Sequence, residues 1–195
     1  MASEQDGPPR FADPRRLGAV VGLAGAFVFA FSYSPAEPVA IVARVLVGAT
    51  VAAALWFLFV RPRPLGPFAP PRPARLAVYG ACVVAEFALI AVGSRVLESA
   101  GRGELRPALI ALVVGLHFLP FAWAFSERMF ALLGGALVVL GGLGLLVGSG
   151  DAAVLAAVAS GAAMALLLLA YALGAFAPGS RAPRSRAPRS RPRRS

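Results

Sequence analysis

Six long apolar stretches alternate with short polar breaks along this 195-residue chain. A helix rises 1.5 Å per residue, so about twenty apolar residues cross a hydrocarbon core of about 30 Å. The pattern predicts an all-α fold, a polytopic transmembrane bundle of six helices. The predicted spans are about 17–34, 39–60, 75–97, 107–125, 129–147 and 152–176.

Polar segments flank the predicted transmembrane domain of residues 17–176. Residues 1–16 are polar and rich in proline, which predicts a disordered cytoplasmic lead-in. A signal peptide is the alternative for the first apolar stretch, but the lead-in carries acids and no small-residue cleavage site follows. Residues 177–195 repeat the pentapeptide SRAPR, and this low complexity predicts a disordered Arg/Pro-rich cytoplasmic tail.

A proline-rich connection separates the second span from the third. Residues 61–73 hold six prolines and three arginines, a density that excludes a helix. The segment is therefore predicted to be an exposed, semi-rigid loop. A docking segment for a proline-recognising partner is the alternative.

The composition excludes a soluble globular protein. Hydrophobic residues make up 58% of the chain and charged residues 14%, with a mean hydropathy of +0.76.

The net charge of +10 comes mostly from the tail, because removing its seven arginines leaves 10 − 7 = +3. No interleaved aromatic residues or folded module point to nucleic acid. Anionic lipid headgroups are the predicted partner of the tail, at about 1 kcal/mol per arginine. The tail arginines are Arg181, Arg184, Arg186, Arg189, Arg191, Arg193 and Arg194.

The distribution of arginine predicts the orientation. Fifteen of the nineteen basic residues fall on the side that carries both termini, whereas Arg102 and Arg106 lie on the other side with Arg95 at its edge. Positive charge marks the cytoplasmic side, so both termini are predicted to be cytoplasmic. We expect a cell-membrane protein. Its predicted belt of interfacial aromatic residues comprises Trp56, Tyr79, Trp123 and Tyr171.

Two ionisable residues fall near the middle of adjacent predicted spans. Glu86 lies ten residues from Leu76 and eleven from Leu97, and His117, the only histidine, reaches a similar depth in the next span. A short loop joins the two helices, which favours their packing. An unpaired carboxylate in hydrocarbon costs on the order of 3 kcal/mol, so His117 is the expected partner of Glu86. Pro120 lacks an N–H group and is expected to kink the helix beside His117.

This polar pair has two interpretations. It is either a hydrogen bond that fastens two helices together or a proton- or cation-binding site in a small transporter. An enzyme is not predicted, because one histidine, no Gly-rich phosphate loop and no acidic pair leave no catalytic set. No metal or cofactor is predicted either, and the single Cys82 is expected to be a small buried apolar residue.

A shallower basic site is a further possibility. Arg44 and Arg95 lie near the side away from the termini, where Glu37 or Glu98 is a potential partner. Either arginine can equally snorkel to the headgroups. Small residues at a spacing of four support a compact bundle, and association into a homo-oligomer is a further possibility. These sets are Gly18-Gly22-Ala26, Ala77-Ala81-Ala85, Gly144-Gly148 and Ala152-Ala156-Ser160.

Residues 115–120, Gly-Leu-His-Phe-Leu-Pro, are followed by a short aromatic run. This stretch resembles a signature of uncharacterised bacterial integral membrane proteins of about six helices. The resemblance implies a bacterial inner membrane and carries no mechanism. On the basis of the Glu86 and His117 pair, we predict a small-solute or proton-coupled transporter, with a non-transporting structural or regulatory membrane component as the alternative.

Overall fold

The computed structural model describes residues 13–63, 65, 73–125 and 127–177. These residues form no strand, and they include six helices that are long and apolar enough to cross a membrane. The predicted all-α, six-helix fold is confirmed. The helices are α1 (Pro14–Phe31), α2 (Glu37–Leu55), α3 (Pro73–Ser99), α4 (Arg106–Phe125), α5 (Arg128–Val147) and α6 (Gly150–Ala172).

The first helix begins earlier than the apolar pattern predicts. The Asp13 carboxylate accepts a hydrogen bond of 2.9 Å from the backbone N–H of Arg15, and Pro14 occupies the first turn. Arg15 and Arg16 therefore lie inside α1 and not in the lead-in. The rest of the lead-in (residues 1–12), most of the proline-rich connection and residues 178–195 of the tail lie outside the described residues.

Short helical turns adjust two helix ends. A π-helical turn (Trp56–Val60) extends α2, and the N–H of Arg61 donates to the carbonyl of Trp56 at 2.9 Å. Such wider turns occur mostly as single turns at the ends of α-helices or inside them. A 3-10 turn (Gly103–Leu105) leads into α4.

Helix α6 is the centre of the bundle, and it packs against α1, α2, α4 and α5. Its small residues allow close approach. A Cβ atom at Gly161 would lie 2.8 Å from the carbonyl oxygen of Ala26 in α1. The largest fully buried apolar side chains surround this helix or belong to it: Val47, Leu23, Leu58, Leu133, Leu137 and Met164.

Helices α4 and α5 pack backbone to backbone in antiparallel orientation. A Cβ atom at Gly115 would lie 2.6 Å from the backbone nitrogen of Val138 and 2.9 Å from the carbonyl oxygen of Gly134. Gly141 lies equally close to the backbone of α4 between Ala108 and Leu112. Small residues let membrane helices approach in this way, and dispersion contacts then hold them together.

Helix α3 lies at the edge of the bundle, where α4 is its main packing partner. No residue from Ala77 to Ser99 is buried. The α3 and α4 helices are antiparallel, because Gly93 faces Leu109 while Tyr79 stacks on Phe121. We call the side where α1 begins and α6 ends the terminal side, and the side that carries the α1–α2, α3–α4 and α5–α6 connections the loop side.

Candidate intramembrane site

Glu86 of α3 and His117 of α4 face each other. Glu86 Oε2 lies 3.2 Å from His117 Nδ1, and the side chains are 15% and 13% exposed. The distance is that of an ion pair, but Nδ1 has no partner with the angular geometry of a hydrogen bond. The contact between Glu86 Oε2 and His117 Nδ1 is therefore a close electrostatic one without the angles of a hydrogen bond.

The depth of this pair follows from the helix lengths. Glu86 lies nine residues after Ala77, and His117 lies eight residues before Phe125. At 1.5 Å per residue these separations place the two groups about 14 Å and about 12 Å from the terminal-side ends of their spans. Both groups therefore lie well inside the length of helix that would cross the hydrocarbon core.

Aromatic rings fill the space between this pair and the terminal side. The His117 ring meets Phe121 edge to face with centroids 4.8 Å apart, and Phe121 stacks on Tyr79 at 4.7 Å. Phe125 and Phe130 continue the cluster, with centroids 5.8 Å apart. Edge-to-face and offset stacked pairs are the favourable aromatic geometries. A cluster of aromatic rings therefore borders the polar pair on its terminal side.

Pro120 lies in the interior of α4, and the helix continues through it from Arg106 to Phe125. Proline has no N–H group to offer the carbonyl of Leu116, one turn earlier. Neighbouring helices make such a proline tolerable in a membrane span. The position leaves a backbone acceptor in the turn that carries His117.

The two arginines of the predicted shallow site have different surroundings. The guanidinium of Arg44 donates to Ser34 Oγ at 2.9 Å and lies 5.8 Å from the centroid of the Phe31 ring. Arg95 is exposed on α3. In the described part of the chain neither arginine forms an ion pair with Glu37 or Glu98.

The carboxylate of Glu98 pairs instead with Arg106, at the start of α4. Nearby, the guanidinium of Arg102 bonds to Glu104 at 3.1 Å and to the carbonyl of Gly148 at 2.8 Å. The loop-side arginines therefore join neighbouring connections to one another.

A buried arginine at the terminal side was not predicted from the sequence. Arg16 is only 3% exposed, and its guanidinium donates to the carbonyl oxygens of Leu58 and Arg63. Arg15 bonds to the Asp13 carboxylate at 2.9 Å and to the carbonyl oxygen of Leu65 at 3.1 Å. The unpaired carbonyls and the negative dipole end of α2 favour these cations. The two arginines thus fasten the start of α1 to the end of α2.

Two carboxyl groups at the terminal side have shifted pKa values of opposite sign. Burial acts to raise the pKa of Asp13, but hydrogen bonds from Arg15 and the charges of Arg15 and Arg16 lower it below its usual value. Burial raises the pKa of Glu127, and the charge of Arg15 offsets this rise only in part.

Tyr171, one of the four aromatic residues predicted near the membrane interface, lies one residue before the end of α6. Its side chain is packed inside the bundle and only 5% exposed.

The described residues bring no three histidine, cysteine or acidic side chains close enough together to hold a metal ion. Cys82 is a half-buried free thiol on α3. At the depth of the polar pair, the described residues offer the Glu86 carboxyl group, the His117 imidazole, the aromatic rings beside it and, one turn away on α3, the Cys82 thiol.

Six apolar helices with an ionisable pair at mid-depth define a multi-pass membrane protein. The sequence profile of a family of unknown function, DUF7010, matches residues 76–174, about half of the chain. The chain belongs to that family. The matched region contains α3 to α6, and with them both members of the polar pair. No curated protein and no solved structure matches the chain.

Proposed function

We propose that this protein is a small-solute or proton-coupled transporter in which Glu86 and His117 hold the coupled proton. The observation that carries the proposal is the 3.2 Å approach of the two groups at mid-depth. Ionisable residues are costly inside a membrane, on the order of 3 kcal/mol each, and they commonly mark proton or ion pathways. Histidine is suited to proton exchange near neutral pH.

The pair is suited to hold one exchangeable proton. With one proton, the two groups are together neutral, either as a carboxylate beside an imidazolium or as two neutral groups. At Nδ1 the contact lacks the angles of a hydrogen bond, so the two groups are held together mainly by electrostatic attraction, which depends on where the proton lies. Helix α3 packs mainly on α4, so it can move relative to α4 while the contacts around α6 remain in place.

Reconstitution in proteoliposomes tests the proposal. The protein is inserted into vesicles that contain a pH-sensitive dye, and an imposed pH gradient drives proton flux with or without candidate solutes. We expect the flux to be lost in Glu86→Gln and His117→Ala. Glu104→Gln, which changes an exposed acid of the 3-10 turn, is the matched control and should retain it. Flux that survives both substitutions in the pair would refute the proposal.

A non-transporting structural or regulatory membrane component is the second candidate. The observation that favours it is the backbone-to-backbone packing of α4 on α5. In that case the polar pair fastens α3 to α4 and contributes less than about 2 kcal/mol. Absence of flux in the unmodified protein, combined with a lower melting temperature of Glu86→Gln, would support this second function.

The proposal includes a location and an orientation. Arg15, Arg16, Arg61, Arg63 and Arg128 all lie at the terminal side, and cytoplasmic ends of membrane proteins are enriched in such residues. We therefore propose a cell-membrane protein, in a bacterial inner membrane, with both termini cytoplasmic and the arginine tail against anionic lipid. A C-terminal alkaline phosphatase fusion should be inactive and a C-terminal green fluorescent fusion should be bright.

A further inference from the structure

We infer that Glu86, together with Tyr79, His117 and Phe121, forms a binding site for a hydrophobic organic cation that exchanges with a proton. The inference rests on the proposed function, because it names the class of solute that the transporter would carry. Three properties of the site support it: the sign of its charge, the rings around it and its position at the edge of the bundle.

The charge of the site favours a cation. Glu86 is the only acidic residue between Ala77 and Leu97, and no arginine forms an ion pair with it in the described structure. Among the described side chains, His117 is the basic group that contacts Glu86. An ionised carboxylate in this apolar setting needs a compensating positive charge, which is either a proton or a bound cation.

The rings favour an organic cation over a metal ion. Tyr79 lies two helical turns from Glu86 on the side of α3 that faces α4, and it stacks on Phe121, which in turn meets the His117 ring at 4.8 Å. Ring faces attract quaternary and other weakly hydrated cations. A metal ion needs several oxygen or nitrogen ligands, and among the described residues Glu86 and His117 are not joined by a third such ligand; the rings beyond His117, Phe121 and Tyr79, present carbon faces.

The position of the site selects a hydrophobic molecule. Because no residue of α3 from Ala77 onward is buried, the contact between α3 and α4 lies next to the surface that would face lipid. Tyr79 is 42% exposed there. A ligand that reaches this contact comes from the bilayer, so it must already partition into hydrocarbon. A polar solute does not meet that requirement.

Binding of the cation releases the proton that the pair holds. The protonated pair and the cation give a carboxylate–cation complex and one released proton, so charge and protons balance. Affinity therefore rises with pH over the range in which the pair loses its proton. Besides Glu86, the titratable and charged side chains that the structure describes on α3, α4 and the 3-10 turn are Tyr79, Cys82, Arg95, Glu98, Glu104, Arg106 and His117; Arg75, eleven residues before Glu86, lies outside the described side chains. Of these, only Tyr79, Cys82 and His117 lie within two turns of Glu86 or in contact with it.

The test uses the full-length protein in detergent, with tetraphenylphosphonium as the cation and the neutral triphenylphosphine oxide as its uncharged counterpart. Binding is measured by calorimetry, and proton release is followed with a dye in weak buffer. We expect release of about one proton per bound cation. Glu86→Gln should abolish that release and weaken binding at least tenfold. Tyr79→Leu should weaken binding roughly fivefold, from the loss of one cation–ring contact.

Two control variants are matched to these changes. Glu37→Gln alters an acid in the first turn of α2, and Phe27→Leu alters an exposed ring on α1 that stacks on Phe31. Both should bind the cation as the unmodified protein does. Gel filtration and circular dichroism of every variant distinguish weak binding from misfolding. If Glu86→Gln does not fold, the binding affinity of Tyr79→Leu tests the site in its place.

The outcomes distinguish this inference from the proposed function. Equal binding of the neutral compound, binding that is unchanged in Glu86→Gln, or binding without proton release would each overturn the inference. If proton flux in vesicles depends on Glu86 but tetraphenylphosphonium does not bind, the transporter proposal stands and the inference fails. Binding with proton release in the absence of flux would support the cation site and refute the transporter.

Discussion

Replacing Gly141 with alanine should separate α4 from α5. A Cβ atom at this position would lie 2.7 Å from the carbonyl oxygen of Ala108 and 2.8 Å from the Cα atom of Leu112, with the Leu112 backbone nitrogen closer still. All three are backbone atoms, so no change of rotamer relieves the contact. The helices must move apart, and the neighbouring glycine contacts are then lost.

The magnitude follows from the cost of overpacking. Forcing one extra carbon into a closely packed interface costs about 1–3 kcal/mol. A protein of this size loses about 2–4 °C of melting temperature per kcal/mol. The expected decrease for Gly141→Ala is therefore about 2–12 °C.

The adjacent residue provides the control. A Cβ atom at Gly142 meets nothing within 4 Å, and alanine favours a helix over glycine by about 1 kcal/mol. Gly142→Ala should therefore melt at the same temperature as the unmodified protein or slightly above it. Melting is followed by the loss of the monodisperse gel-filtration peak after heating in detergent. Equal melting temperatures for the two variants would refute the assignment of this packing face.

Three further predictions concern the terminal side. Arg16→Met should lower the free energy of unfolding by about 1.5–3 kcal/mol, because it leaves the buried carbonyl of Leu58 without its charged donor, and denaturant titration measures the loss. The pKa of Asp13 is lower in the folded protein than in the unfolded one, so ionised Asp13 stabilises the fold fully above its unfolded pKa, and this stabilisation is lost as pH falls through its folded pKa. The melting temperature of Asp13→Asn should therefore lack this loss at acid pH. The pKa of Glu127 is higher in the folded protein than in the unfolded one, so the free energy of unfolding declines as pH rises from the unfolded pKa through the folded pKa. Glu127→Gln should therefore melt at a higher temperature than the unmodified protein at neutral pH. An unchanged melting temperature would contradict the argument.

The sequence predicts the number of helices because apolar length alone determines whether a segment can cross a bilayer. It also predicts the depths of Glu86 and His117, since depth follows from counting residues along a helix of known rise. The short α3–α4 connection implies that the two helices are neighbours. The 3.2 Å approach of the two side chains, by contrast, depends on helix rotation, which hydropathy does not encode.

Other features were beyond sequence reasoning for identifiable reasons. Arg16 belongs to an arginine doublet typical of an interfacial anchor, and its partners are carbonyl oxygens, which every residue carries. The one available signal was Asp13-Pro14, a helix start that places the doublet inside the first turn. Small-residue spacing was a partial guide: Gly144 of the predicted sets lies in close contact with Ala156, whereas nothing lies within 4 Å of a Cβ at Gly18, and the close contact of Gly115 was not predicted. In a chain rich in glycine and alanine, such spacings arise by chance.

The central place of α6 has a consequence for the order in which the protein is made. Helices α1 and α2 pack on each other and on α6, yet about ninety residues of chain separate the end of α2 from the start of α6. At about 5–20 residues per second, ribosomes need about 5–18 s to synthesise that interval. Helices α1 and α2 are therefore synthesised several seconds before α6, and their contacts with α6 form only after α6 has been synthesised. A nascent chain that stops before Gly150 lacks the helix on which α1, α2, α4 and α5 all pack.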